Sequence, residues 1–198
     1  MGITSQQLAA MQQRLASGKD AAQADPAGPS GPQVILGIDP SLRGTGYGVI
    51  DTAPATPATL SQGTLRCPAD WPLSRCLRLI SESLETIVRD THPTLAAVEG
   101  LFHAQNVRTA LVMSQARGAA LAVLARAGLK VFEIAPRKVK QAIVGYGAAQ
   151  KEAVAKMVQT RLALPELPEP DAADALAVAL TCAQSLGSPL PDKAVKPL

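Results

Sequence analysis

VILGIDPSLRGTGYGVID, residues 34–51, is a strand, a tight turn and a second strand. VILGID is a short apolar run that ends in an acid, the pattern of a buried strand. The turn PSLRG leads into GTGYGVID. A weaker run from Leu60 to Arg66 reads as a third strand. Three consecutive strands with short connections predict an antiparallel meander.

Downstream the period changes. Leu73, Leu77, Ile80, Leu84 and Ile87 repeat at intervals of four and three, which predicts a helix with one apolar face. THPT stops it, and LAAVE (95–99) follows as a fourth strand. A long helix is expected over 104–127. Its apolar residues Val107, Leu111, Val112, Leu121, Val123 and Leu124 wrap more than one side, which suits a place between the sheet and a partner subunit. GLKVFEI (128–134) is a fifth strand, and helices over 151–162 and 171–186 finish the domain. The order βββαβαβαα predicts an α/β fold, a mixed five-stranded sheet flanked by helices.

The domain therefore runs over residues 34–187, consistent with one core for a chain of 198 residues. Residues 1–33, rich in Ala, Gln, Pro, Gly and Ser, read as a flexible extension. Within it, 4–17 is a weak helix candidate and 21–32 a linker. Residues 188–198 read as a short tail. Hydrophobic residues make up 47% of the chain and aromatics only 3%, so aliphatic side chains must build the core.

The net charge of +3 hides an uneven distribution. Residues 100–161 hold ten Lys or Arg against two acids, Glu133 and Glu152, a net +8. Such a block suits a polyanion, most simply nucleic acid, although a solvated helix surface has the same composition. Cys67, Cys76 and Cys182 are odd in number and lack CxxC spacing, so they read as reduced thiols of a cytoplasmic protein. No signal-like apolar segment opens the chain, and no apolar run approaches the roughly 18 residues of a membrane span.

The candidate chemistry lies in four acids. Asp39 ends the first strand and Glu99 the fourth, and ligands of α/β sheets bind at such strand ends. Asp171 and Asp174 stand three apart at the start of the last helix and share one face. Converging carboxylates repel, so they need a counter-charge. Magnesium supplies it through oxygen ligands, and two ions about 4 Å apart suit phosphodiester hydrolysis. Alternatives stand beside this. A strand-end Asp can cap a turn, and Asp171 after Pro170 can be a helix N-cap with Asp174 its reciprocal partner. The strand–turn–strand also resembles the phosphate loop of actin-like ATPases, which need two such domains and a longer chain.

GIDPSLRGTGYGVI, AAVEGLFHAQN, SQARGAAL, APRKVKQAIVGYGAAQKEAV and DAADALAVAL occur in this order between residues 34 and 183. Together they resemble the RuvC family of Holliday-junction resolvases. The resemblance implies an RNase H-like fold of the retroviral integrase superfamily. It also implies a homodimer that nicks four-way junction DNA symmetrically, with Mg2+ as cofactor, Mn2+ able to replace it, and RuvA and RuvB as partners. The family's catalytic and metal-binding acids fall on Asp39, Glu99, Asp171 and Asp174. Its DNA-binding lysines fall on Lys140 and Lys151, and its junction-stacking aromatic on Phe102. Ser41 stands where the family often has Gly, and Gly100 where it often has a polar residue. A non-catalytic junction binder and a nuclease of RNA–DNA hybrids are the rival readings within reach of the same residues.

Overall fold

The computed structural model describes residues 31–100, 107–187 and 195–198. Strands β1 (Val34–Asp39), β2 (Gly44–Asp51) and β3 (Ala58–Arg66) form the meander, and helix α1 (Leu73–Thr91) follows. Strand β4 (Leu95–Glu99), helix α2 (Val107–Arg126) and strand β5 (Lys130–Ile134) come next. Helices α3 (Pro136–Val144), α4 (Lys151–Arg161) and α5 (Pro170–Leu186) precede strand β6 (Val195–Pro197). The six-stranded sheet has the order β3-β2-β1-β4-β5-β6. β1 pairs antiparallel with β2 and parallel with β4, and β4 pairs parallel with β5.

The alternation of side chains along the strands explains why the apolar runs are continuous. Ile35 of β1, Leu95 and Ala97 of β4, and Phe132 and Ile134 of β5 pack into one core with α3, α4 and α5. Leu36 and Ile38, Ala96 and Val98, and Val131 pack into a second core with α1 and α2. Both faces of the sheet are covered, so the central strands β1 and β4 are apolar or glycine at every position before their terminal acid. The same parity puts Asp39 in step with Ile35, and Glu99 in step with Leu95 and Ala97. Both acids therefore belong to the α5 side of the sheet.

Two features depart from the sequence expectation. The sheet has six strands, because Val195–Pro197 adds antiparallel to β5, so the end of the expected tail is an edge strand. Its three residues, with a Pro suited only to an edge, carry no strand pattern. Helix α3 also went unread. It is nine residues long, starts at Pro136 and buries only Val139 and Ile143, too little periodicity to register. The described part begins at Gly31, and Gln33 already exchanges backbone and side-chain hydrogen bonds with Thr52. Residues 1–30 lie outside the described part. The three cysteines are free and buried. Among the described residues no helix is long and apolar enough to cross a membrane.

Candidate active site

Asp39 and Glu99 are brought together by strand pairing. Ile38 is in register with Val98, so the acids that follow them end neighbouring parallel strands. Across the other edge of β1, Asp39 is in register with Gly46. A Cβ at Gly46 would lie 1.9 Å from the backbone carbonyl oxygen of Asp171, and one at Gly37 2.1 Å from that of Ala175. No other residue tolerates such closeness. The first turns of α5 thus rest directly on the backbone of β1 and β2, which carries Asp171 and Asp174 to the strand ends.

The helix start also resolves the capping alternative. The N-cap is Glu169, Pro170 occupies the first turn, and no side chain caps the helix. Asp171 and Asp174 are therefore inside α5, with their carboxylates left for other partners. Asp174 accepts a hydrogen bond from Lys151 Nζ at 2.7 Å. The carboxylate of Asp171 lies over Gly44, where a Cβ would come within 2.8 Å of its Oδ2.

The electrostatics divide the acids. Burial pushes the Asp39 carboxyl up to about 6, helped by the charge of Asp174 and opposed by a hydrogen bond from Glu99 and the charge of Lys151. Burial pushes Glu99 further, to about 8, reinforced by the charge of Asp39 and the hydrogen bond between them. A hydrogen bond between two carboxyls needs a proton on one of them, and burial together with the Asp39 charge favours Glu99 as its holder. The hydrogen bond to Asp174 raises Lys151 above its ordinary value. Asp171 acts on Asp39 more weakly than Asp174 does and is not among the charges acting on Glu99. Asp39, Glu99 and Asp174 thus form the inner group, with Asp171 on the β2 side.

Among the described residues no three acidic, histidine or cysteine groups close into a ready-made metal cluster. The ammonium of Lys151 already offsets part of the charge there. The donor set nevertheless fits a hard divalent cation: its side-chain donors are all carboxylate oxygens, and their raised affinity for protons is the mark of a site short of positive charge.

Of the remaining residues singled out in the sequence, Lys151 reaches the acids from the first position of α4. Lys140 does not; it is half-buried on α3 beside a separate cleft. Phe102 lies outside the described residues. Sequence reasoning missed the glycine floor at Gly37 and Gly46. It also missed the buried ion pair of Arg117 on α2 with Glu133 on β5, whose side chain lies against Gly100. The GTGYG spacing was a visible signal for the first; nothing local announced the second.

Residues 35–182 match the family model described as "Crossover junction endodeoxyribonuclease RuvC". The protein of that name from Heliobacterium modesticaldum is 50% identical over 154 residues, which are 77% of this chain and 95% of that protein. The Thermus thermophilus RuvC structure in complex with Holliday junction substrate superposes with a TM-score of 0.75 at 34% identity, covering 84% of this chain and 99% of that one. The yeast mitochondrial Holliday junction resolvase, 13% identical with a TM-score of 0.57, shares the fold. The chain belongs to the RuvC family of crossover junction endodeoxyribonucleases.

Proposed function

We propose that this chain is a structure-selective endodeoxyribonuclease that resolves four-way DNA junctions by paired, symmetric nicks in recombination and repair. The observation that carries the reading is the group of half-buried, mutually repelling acids at the ends of β1 and β4, set against a net +8 stretch of chain. An acidic centre beside basic flanks suits a phosphodiester held by its neighbours and cut in the middle.

Asp39, Glu99, Asp171 and Asp174 are the catalytic acids and would hold two divalent cations, Mg2+ with Mn2+ able to replace it. When bound, the cations supply charge that favours ionisation of the attacking water and stabilises the leaving oxygen. Asp39 sits between Glu99 and the α5 acids and would be among the residues that hold a cation. Lys151, at 2.7 Å from Asp174, is placed to turn its ammonium to a phosphate oxygen as charge builds there. Lys140 contacts the DNA backbone, and Phe102, three residues after Glu99, stacks on an unpaired base at the opened crossover.

A junction with approximate two-fold symmetry calls for two copies. The outer side of α2 is suited to the contact: Val107 and Leu111 are 76% and 60% exposed, and Gly118 leaves open space for a facing helix. RuvA and RuvB are the partners and the cytoplasm the location that the family reading supplies.

The test is cleavage of a mobile four-way junction with Mg2+. Wild-type protein cuts two strands, chelation stops it, and Asp39→Asn lowers the rate by roughly a thousandfold or more while junction binding survives. Cutting by Asp39→Asn at the wild-type rate removes that residue from the mechanism. Preference for duplex or for RNA–DNA hybrid at matched salt overturns the substrate assignment.

A further inference from the structure

Helix α3 begins on the catalytic edge of the sheet. Ile134, which ends β5, is in register with Glu99, and Gly100 donates its N–H to the Ile134 carbonyl at 2.9 Å. Ala135 and Pro136 follow at once. The first turn of α3 therefore stands about one strand spacing, roughly 5 Å, to the side of the acid that ends β4.

Beside that turn is a cleft of about 280 Å³, lined by Ala135, Pro136, Arg137, Lys140 and Gly147. Two cations and no acid line it. Most other arginines of the described residues are committed elsewhere. Arg66, Arg78, Arg89, Arg117 and Arg126 pair with carboxylates. Arg43 donates to the carbonyls of Pro68 and Trp71, and Arg161 to those of Ala142 and Ile143. Among the described residues neither Arg137 nor Lys140 pairs with a carboxylate.

Arg137 is nonetheless held in place. Its side chain runs across Gly147 in the loop between α3 and α4. A Cβ there would lie 2.8 Å from Arg137 Cγ and 3.2 Å from its Nε. A bare glycine is what lets the guanidinium stem lie flat against this loop. An exposed arginine that is oriented by backbone, faces an acid-free cleft and has a lysine one helical turn away is suited to a single phosphate group.

We infer that Arg137 and Lys140, with Gly147 as the platform, form an anchoring seat for a backbone phosphate of the bound DNA, next to the phosphate that is cut. The inference rests on the proposed nuclease reading and extends it by naming Arg137 as an anchor and Gly147 as the residue that positions it. The seat fixes register; it does not touch the reacting phosphate.

The experiment measures binding of wild type, Arg137→Gln, Gly147→Ala and, as a charge-matched control, Arg78→Gln. Two ligands are used, a four-way junction and a plain duplex, titrated over a range of salt with Ca2+ in place of Mg2+. Loss of one phosphate contact lowers the slope of log affinity against log salt by about 0.9, so a dimer with two seats loses about 1.8. Arg137→Gln shows that loss and Gly147→Ala a loss of the same sign, while Arg78→Gln keeps the wild-type slope. Single-turnover cutting of the junction by the control Arg78→Gln at saturating protein stays within roughly twofold of wild type, which shows that losing a surface charge away from the seat leaves the site intact. An unchanged slope for Arg137→Gln on both ligands overturns the seat. If wild type shows no junction preference and does not cut, but Arg137→Gln still flattens the duplex slope, the seat stands and the junction reading falls.

Discussion

The two faces of the sheet are covered by different means. On one, α1 and α2 meet the strands through bulky side chains: Ile80, Leu84, Val123 and Leu124 fill the space above Leu36, Ile38 and Val98. On the other, α5 meets β1 and β2 with almost nothing between. Half of its buried residues over 172–182 are alanines, and the facing positions on the strands include Gly37 and Gly46. A layer of large side chains can adjust by rotamer shifts, but backbone against backbone cannot. The rigid face is the one that carries Asp171 and Asp174. The adjustable face carries stability and the open side of α2.

Gly46→Ala breaks this contrast at its hardest point. The added methyl falls 1.9 Å from the Asp171 carbonyl oxygen, so the start of α5 must move. A displacement of about 1 Å at a reacting centre costs roughly a hundredfold in rate, and the overpacking costs about 1–3 kcal/mol of stability. Single-turnover cleavage alongside thermal unfolding measures both. A variant that is destabilised but cuts normally per folded molecule shows that α5 does not set the acids. Leu84→Ala is the converse change on the opposite face. Leu84 is fully buried on the inner face of α1, and its truncation costs about 2–5 kcal/mol. The rate per folded molecule stays at the wild-type level, because no acid rests on that layer. A drop in rate comparable to that of Gly46→Ala erases the distinction between the faces.

Much of this was legible in the sequence. The β1–β2 hairpin, the strand-end positions of Asp39 and Glu99 and the start of α5 all follow from local patterns, since alternation and helical spacing are short-range properties. What was not legible depends on pairs far apart in the chain. A glycine's importance at position 46 comes from Asp171 lying over it, 125 positions later. The contact of Lys151 with Asp174 depends on how α4 packs on α5, which no period in either helix encodes. Helix α3 was missed because a short helix behind a proline carries little pattern, and with it went the seat of Arg137.

The open side of α2 tests the softer face from outside. Leu111→Glu puts a charge on a residue that is already 60% exposed, so the folded monomer tolerates it. If α2 is the contact between two copies, burying that charge weakens association at least roughly tenfold, about 1.4 kcal/mol. Sedimentation at micromolar concentration then shows Leu111→Glu lighter than the dimer proposed for wild type, and the two nicks of a junction lose their coupling. A Leu111→Glu protein that remains dimeric places the interface elsewhere.

The smallest effect is a slope with pH, and it reports the site without any catalysis. In metal-free protein Glu99 titrates at about 8, against an ordinary 4.5, because burial and the Asp39 charge disfavour its ionised form. Between those two values the folded chain holds a proton that the unfolded chain has released. Stability therefore falls as pH rises through that window. Asp39, raised from 3.8 to about 6 by the same burial, adds to the acid half of the fall. Glu99→Gln cannot ionise, so its melting temperature in chelator changes less between about pH 5 and pH 8, and at the alkaline end it overtakes wild type. Divalent cation added at alkaline pH restores more stability to wild type than to Glu99→Gln, because only the former gains a carboxylate partner for it. Equal slopes for the two metal-free proteins mean that Glu99 is not held protonated by Asp39. The acids at the strand ends are then solvated neighbours rather than a buried, charge-starved group.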